Sequence, residues 1–158
     1  MELRPEQQEE LRRFLVHEFY AKTHHYAGWR FYNTAGSEYF RTDEGCRELE
    51  TQVTGRLEWF RATHLPWLGT ELPLAGARIL EIGAGTGVST VALLQAGAAH
   101  VDAADIDGPA LAAAQARIRL YDLSGALFHC LSATEVGRFA GEPYDLILFF
   151  ATLEHMTP

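Results

Sequence analysis

Residues 79–90, ILEIGAGTGVST, constrain this chain more than any other stretch. An apolar run meets three glycines at alternate positions, Gly83, Gly85 and Gly87, and then a segment suited to a helix. Glycine there opens backbone conformations closed to other residues and leaves no Cβ against whatever packs or binds on the turn. A strand that enters a helix this way opens a parallel α/β sheet, and the residues beyond it keep the alternation. Strands are predicted at residues 78–82, 100–105, 126–131 and 144–150, with helices at 88–96 and 109–121 and a helical turn at 134–139. The expected fold is a doubly wound, Rossmann-like α/β sheet with right-handed crossovers.

The first half reads differently. Leu11, Phe14, Leu15 and Phe19 form one helical stripe after Pro5, and Cys46, Leu49, Val53, Leu57 and Phe60 form another within a helix expected at 43–64, capped by Asp43. Between them, residues 24–40 have no period and many aromatics, the pattern of a packed loop. Twelve of the 18 aromatic residues lie at or before Trp67. Residues 1–70 are therefore expected as an aromatic-rich helical cap on a core formed by residues 71–158. Tyr20, Tyr26, Trp29, Phe31, Tyr32, Tyr39 and Phe40 either roof a cleft for an apolar or planar ligand or form the cap's own core.

Charge and cysteine content exclude several classes of function. Thirteen basic against 21 acidic residues give a net charge of -8, which argues against a nucleic-acid or anionic-lipid partner. No run reaches membrane-spanning length, and the N-terminus lacks the pattern of a signal peptide, so a cytoplasmic protein is expected. Cys46 and Cys130 stand far apart without a C-x-x-C pattern, as free thiols would.

Asp105 closes the second predicted strand, 22 residues beyond Gly83. A carboxylate at that place can accept both vicinal hydroxyls of a ribose, or serve as an N-terminal charge for the next helix alongside Asp107. A dinucleotide fingerprint needs its third glycine at position 88, which is Val88, so a nicotinamide oxidoreductase is disfavoured. Gly85 and Gly87 also admit a plain packing role.

The ordered set E-x-G-x-G-x-G, Asp105, YDLILFF and LEHM resembles the class I S-adenosylmethionine-dependent methyltransferases, in particular their small-molecule, type 11/12-like branch. The likeness covers about residues 77–158. It implies S-adenosyl-L-methionine as cofactor, a small-molecule methyl acceptor and a sheet order of 3-2-1-4. It also implies that Glu81, Gly83, Ala84, Gly85 and Gly87 surround the methionine end of the cofactor. By the same likeness Asp105 holds the ribose, Ile106 packs on adenine, Asp145 is structural, and Phe150 to Thr152 border the methyl group. The third-strand acid common in that family is absent, and Ser132, Ala133 and Thr134 occupy its place.

Transfer from a sulfonium donor is an in-line displacement that depends mainly on alignment, with a base needed only for a protonated nucleophile. His155 is the candidate base, or else a capping or packing residue. Relatives with E-x-x-E-H after this strand hold a metal; Ala151 replaces the first acid here, so no metal is expected, and His24 and His25 are read as packing or loop residues. The resembled fold continues with further strands, so the chain is expected to be C-terminally incomplete. It would then be a truncated or non-catalytic cofactor-binding piece needing a partner, with self-association through an exposed fourth strand.

Overall fold

The computed structural model describes residues 2–23, 36–139, 141 and 143–153. Pro5 starts α1 (Pro5–Phe14), which widens into a π-helical segment at Leu15–Tyr20 that buries Leu15, Phe19 and Tyr20. After the short α2 (Gly36–Tyr39), one long helical course runs through α3 (Asp43–Glu50), a π-helical turn (Thr51–Gly55) and α4 (Arg56–Glu71). Thr42, not Asp43, caps it, its hydroxyl accepting from the Gly45 N–H at 3.1 Å. The course does not end at His64, where the pattern predicts. It continues through Pro66 because Leu68, beyond it on the same helix, is buried in the core, which offsets the hydrogen bond proline removes.

The second half forms β1 (Arg78–Ile82), α5 (Val88–Gln95), β2 (His100–Asp105), α6 (Gly108–Leu120), β3 (Ala126–Cys130), a 3₁₀ turn (Ala133–Phe139) and β4 (Leu146–Phe149). The four strands pair in parallel in the order β3-β2-β1-β4, as the resemblance implies. Strands β3 and β4 are one to three residues shorter than the apolar runs predicted for them. No helix among the described residues is long and apolar enough to cross a membrane.

Strand alternation sends side chains to two unlike faces. Ile79, Val101 and Ala103 join α1, α3, α4, α5 and α6 in one continuous core that includes Leu11, Leu15, Val53, Phe60, Val91 and Leu93. The described part of residues 1–70 and the sheet therefore share one interior, in which Tyr20 and Phe40 pack ring to ring at 4.7 Å. Tyr26, Trp29, Phe31 and Tyr32, like His24 and His25, lie outside the described residues. On the opposite face Leu80, Ile82, Ala104 and Leu131 are covered by Ala133, Val136, Phe139 and Tyr144. Leu127 (55% exposed) and Ile147 (56%) are both open to solvent.

A polar cluster forms toward the amino ends of β1 and β2, reached by His129 from near the carboxyl end of β3. Asp102, buried, accepts from the Tyr144 hydroxyl at 2.8 Å and lies 3.0 Å from His100 Nε2 and 2.8 Å from His129 Nε2. Arg78 Nη2 lies 3.6 Å away. Burial pushes this carboxyl upward, but the hydrogen bonds from His129 and Tyr144 and the charges of both histidines outweigh it, leaving its pKa below the usual 3.8. Asp145 ties β4 to β1 by a reciprocal pair: its carboxylate accepts from Arg78 N–H and its N–H donates to Arg78 C=O, both at 2.8 Å.

A depressed carboxylate stabilises the fold above its unfolded pKa, and that contribution is lost as pH falls through the lower folded value. Asp102→Asn is expected to lower unfolding free energy at neutral pH by about 1–3 kcal/mol, measured by urea denaturation. It is also expected to remove that part of the acid dependence.

Candidate functional site

The carboxyl ends of the four strands converge where ligands bind in open parallel sheets. The turn leaving β1 is fixed by main-chain bonds: Gly83 and Ala84 both donate to Ala104 C=O, at 2.8 and 3.0 Å, and Gly87 donates to Ala84 C=O at 2.9 Å. All three glycines have positive φ, 78°, 53° and 78° in order. At Gly83 and Gly87 the space the missing side chain leaves is used by the protein itself. A Cβ on Gly83 would collide with the Thr152 side chain, and one on Gly87 would lie 2.6 Å from Ala114 Cβ in α6. Gly87 thus serves close helix–helix approach, one of the two roles the sequence leaves open.

Asp105 comes to this turn from β2. Its Oδ2 accepts from the Gly85 N–H at 2.7 Å and its Oδ1 from the Asp107 N–H at 2.8 Å. Burial pushes its pKa up, opposed by these backbone donors. Each carboxylate oxygen has a second lone pair, so both can still accept a hydroxyl. Asp107, at the N-cap position of α6, is buried and accepts from Thr23 Oγ1. The charge near that helix terminus is therefore Asp107's, and Asp105 faces the turn. Ile106 between them is 53% exposed, an unusual placement for an isoleucine beside a buried carboxylate.

Glu81 has no exposed surface. Its carboxylate accepts from Ser89 Oγ and, at 2.6 Å, from Thr90 Oγ1 in the first turn of α5. It contributes nothing to the cleft's surface and acts by tying the strand to the helix that the glycine turn opens. Burial raises its pKa to about 7 despite the two hydroxyls, with Asp105's charge adding to the rise.

From β3, Leu131 N–H donates to Asp105 C=O at 3.0 Å, placing Ser132 and Ala133 beside the acid. The Ser132 hydroxyl lies 3.0 Å from Thr134 Oγ1, and its N–H donates to Glu135 Oε2 at 3.0 Å. From β4, Thr152 approaches Gly83, its hydroxyl donating to Phe150 C=O at 2.9 Å across Ala151, which has a φ of 48°. The Phe150 ring lies toward α4, with centroids 4.9 Å from Phe60, 4.7 Å from His64 and 5.9 Å from Trp59. A cavity of about 180 Å³ opens there, lined by Phe60, His64, Trp67, Leu68, Leu148, Phe149 and Phe150. Glu154 and His155, the candidate base, lie outside the described residues.

Residues 79–158, half of the chain, match the methyltransferase-domain family. The chain belongs to that family, in its class I S-adenosylmethionine-dependent form. A ubiquinone biosynthesis O-methyltransferase of Aromatoleum aromaticum is 35% identical over 94 residues, 58% of this chain and 38% of that protein. A ribosomal protein L11 methyltransferase of Deinococcus radiodurans is 37% identical over 81 residues, 49% of this chain and 30% of that protein. The chain thus spans about a third of the length of these two curated relatives. Magnesium protoporphyrin IX methyltransferase of Synechocystis PCC 6803, solved with bound SAH, superposes with a TM-score of 0.55 at 19% identity. That superposition covers 95% of this chain and 61% of the other, and shows the shared fold.

Within the methyltransferase domain, the structure brings Gly83, Ala84, Gly85, Gly87, Asp105, Ile106, Ser132 and Ala133 to one end of the sheet. It seats Glu81 beneath them and Phe150 to one side. Sequence patterns alone did not single out Arg117, which is fully buried and reaches the glycine turn at Thr86 C=O, 3.0 Å from its Nε. The signal was present: Arg117 continues the Ala110, Ala113, Ala114 stripe that faces the core.

A carboxylate raised on folding favours the fold while it is protonated. Stability from Glu81 is present below 4.5 and declines as pH rises through about 7. Glu81→Gln is expected to flatten the pH dependence of unfolding over that interval, checked by urea denaturation at a series of pH values.

Proposed function

We propose that the chain binds S-adenosylmethionine across the carboxyl ends of its strands and transfers the methyl group to a small-molecule acceptor in the cytoplasm. The observation that carries this reading is the 2.7 Å bond between Asp105 and the Gly85 N–H. It sets a carboxylate with spare lone pairs against the glycine turn, beside the exposed Ile106. That arrangement suits a ribose with an adenine lying on an aliphatic side chain. The bound cofactor supplies an activated methyl carbon. The chain's own contribution is to hold the nucleoside, to exclude water and to aim an acceptor along the line of the breaking bond.

The acceptor reading rests on the aromatic cavity, since the two curated relatives are named for different acceptor classes. An apolar cavity of about 150 Å³ admits a benzene-sized ring, and the space beside Phe150 is of that order and lined mainly by apolar side chains. It opens two residues before Thr152, which meets Gly83. A single-ring or otherwise planar apolar group suits it better than a charged one, and the net charge of -8 disfavours nucleic acid. His155 remains the proposed base for a protonated nucleophile.

Asp105→Ala is expected to weaken S-adenosylhomocysteine binding by about 1.5–3 kcal/mol, read by isothermal titration calorimetry. Unchanged affinity would remove Asp105 from the site.

A second reading, a cofactor-binding unit that works only when associated, is favoured by the exposed apolar side chains Leu127, Ile147 and Phe149. Among the described residues β4 pairs only with β1, leaving its outer edge to recruit another strand. Light scattering after size-exclusion chromatography separates the two readings. The associated unit is expected at twice 17.6 kDa or more, whereas a monomer that methylates an acceptor would overturn it.

A further inference from the structure

Arg117 is the largest fully buried side chain among the described residues, at 0% exposure. Its guanidinium meets three main-chain carbonyls from two distant segments. Nε donates to Thr86 at 3.0 Å, Nη1 to Val53 at 3.1 Å and Nη2 to Gln52 at 2.9 Å. Among the described residues no carboxylate pairs with it, and burial lowers its pKa to about 10. For stability alone this is a poor arrangement, because an apolar side chain of similar volume avoids desolvating a cation. Arginine offers something no apolar side chain or lysine can: a rigid planar fork that fixes several acceptors at once.

The acceptors show what is being fixed. Thr86 stands between Gly85, which donates to Asp105, and Gly87, which packs on Ala114. Ala114 and Arg117 are one turn apart on α6, so a single stripe of that helix holds two consecutive residues of the turn. Gln52 and Val53 belong to the π-helical turn joining α3 to α4, in the layer built from the first 70 residues. π-helical turns interrupt the regular hydrogen-bond ladder and often mark functional positions.

We infer that Arg117 is a positioning residue that couples the helical layer around Gln52 and Val53 to the glycine turn, so that cofactor binding and the placement of that layer are linked. This rests on the cofactor reading above. Linkage is reciprocal: a ligand that fixes the turn also fixes the π-helical turn, and loosening the fork weakens the ligand.

Hydrogen–deuterium exchange of the wild-type chain with and without S-adenosylhomocysteine tests the link without any variant. Slower exchange of amides at 51–57 on binding is expected. Arg117→Met is expected to weaken S-adenosylhomocysteine by about tenfold or more in calorimetry and to abolish the protection at 51–57, with Arg117→Lys intermediate. Asp102→Asn, which destabilises the fold from the sheet face turned away from the helical layer, serves as the control: it is expected to lower Tm yet keep both affinity and protection.

Absent protection in the wild type overturns the inference, as does an Arg117→Met affinity equal to that of Asp102→Asn. If Arg117→Met does not fold, the wild-type exchange decides alone. A wild-type chain that binds neither S-adenosylmethionine nor S-adenosylhomocysteine overturns the cofactor reading and this inference with it. Wild-type binding without the coupling overturns the inference only.

Discussion

The turn leaving β1 is pressed from three sides, and most of the site depends on that. Strand β1 is flanked by β2 and β4, so its exit must clear the end of β2, the segment after β4, and the neighbouring helix α6. Ala104 and Asp105 hold it from one side, Thr152 from another, and Ala114 from the third. At Gly83 and Gly87 a Cβ would fall within 3 Å of a neighbour, and both residues have φ of 78°. No other residue type meets both demands without displacing a neighbour. The close packing that forbids side chains also brings Asp105 against the loop, so one steric constraint yields both a rigid turn and a carboxylate at its rim.

Charge is buried around this turn in unlike ways. Glu81 sits under it, satisfied by two hydroxyls of α5 and raised by burial to about 7. Asp105 is held by backbone N–H groups, and Asp107 by the Thr23 hydroxyl. Arg117 is held by carbonyls alone. These partners are main-chain dipoles and hydroxyls, which do not titrate near neutrality. Such a scheme keeps the loop's geometry insensitive to salt, because screening acts mainly on exposed ion pairs. The Asp102 cluster at the opposite end of the sheet differs: its carboxylate is held below its usual pKa by histidines and a tyrosine, so the two ends respond to acid with opposite sign.

Much of this was legible in the residues. Strands β1 and β2 stand where their apolar runs and the flanking glycine and aspartate put them, because local pattern and burial agree there. The helical course 43–64 is present with its end displaced. A local breaker, Pro66, is outweighed by the burial of Leu68, which only the tertiary fold reveals. Asp105 was legible because its spacing from the turn is set by one strand–helix–strand unit. The seating of Glu81 under the turn was not, since a buried and an exposed carboxylate look alike in a string of letters. Arg117 is hidden for the same reason, although it stands in a stripe of alanines. The resemblance puts Phe150 at the methyl-bearing end; that its ring packs toward α4 follows from strand alternation, which puts it on the face shared with Leu146 and Leu148.

By itself the sequence determined the alternation of strand and helix, the glycine turn, the acid beyond it and hence the family, because these depend on residue types at short, fixed spacing. Tertiary structure decided which neighbour each glycine accommodates, which carboxylates face the cleft, where an aromatic cavity opens, and that a buried arginine joins the first helical layer to the turn. The arginine's bonds alone join residues 31 to 65 positions apart along the chain. Such contacts exist only once the chain has packed, and no local pattern encodes them.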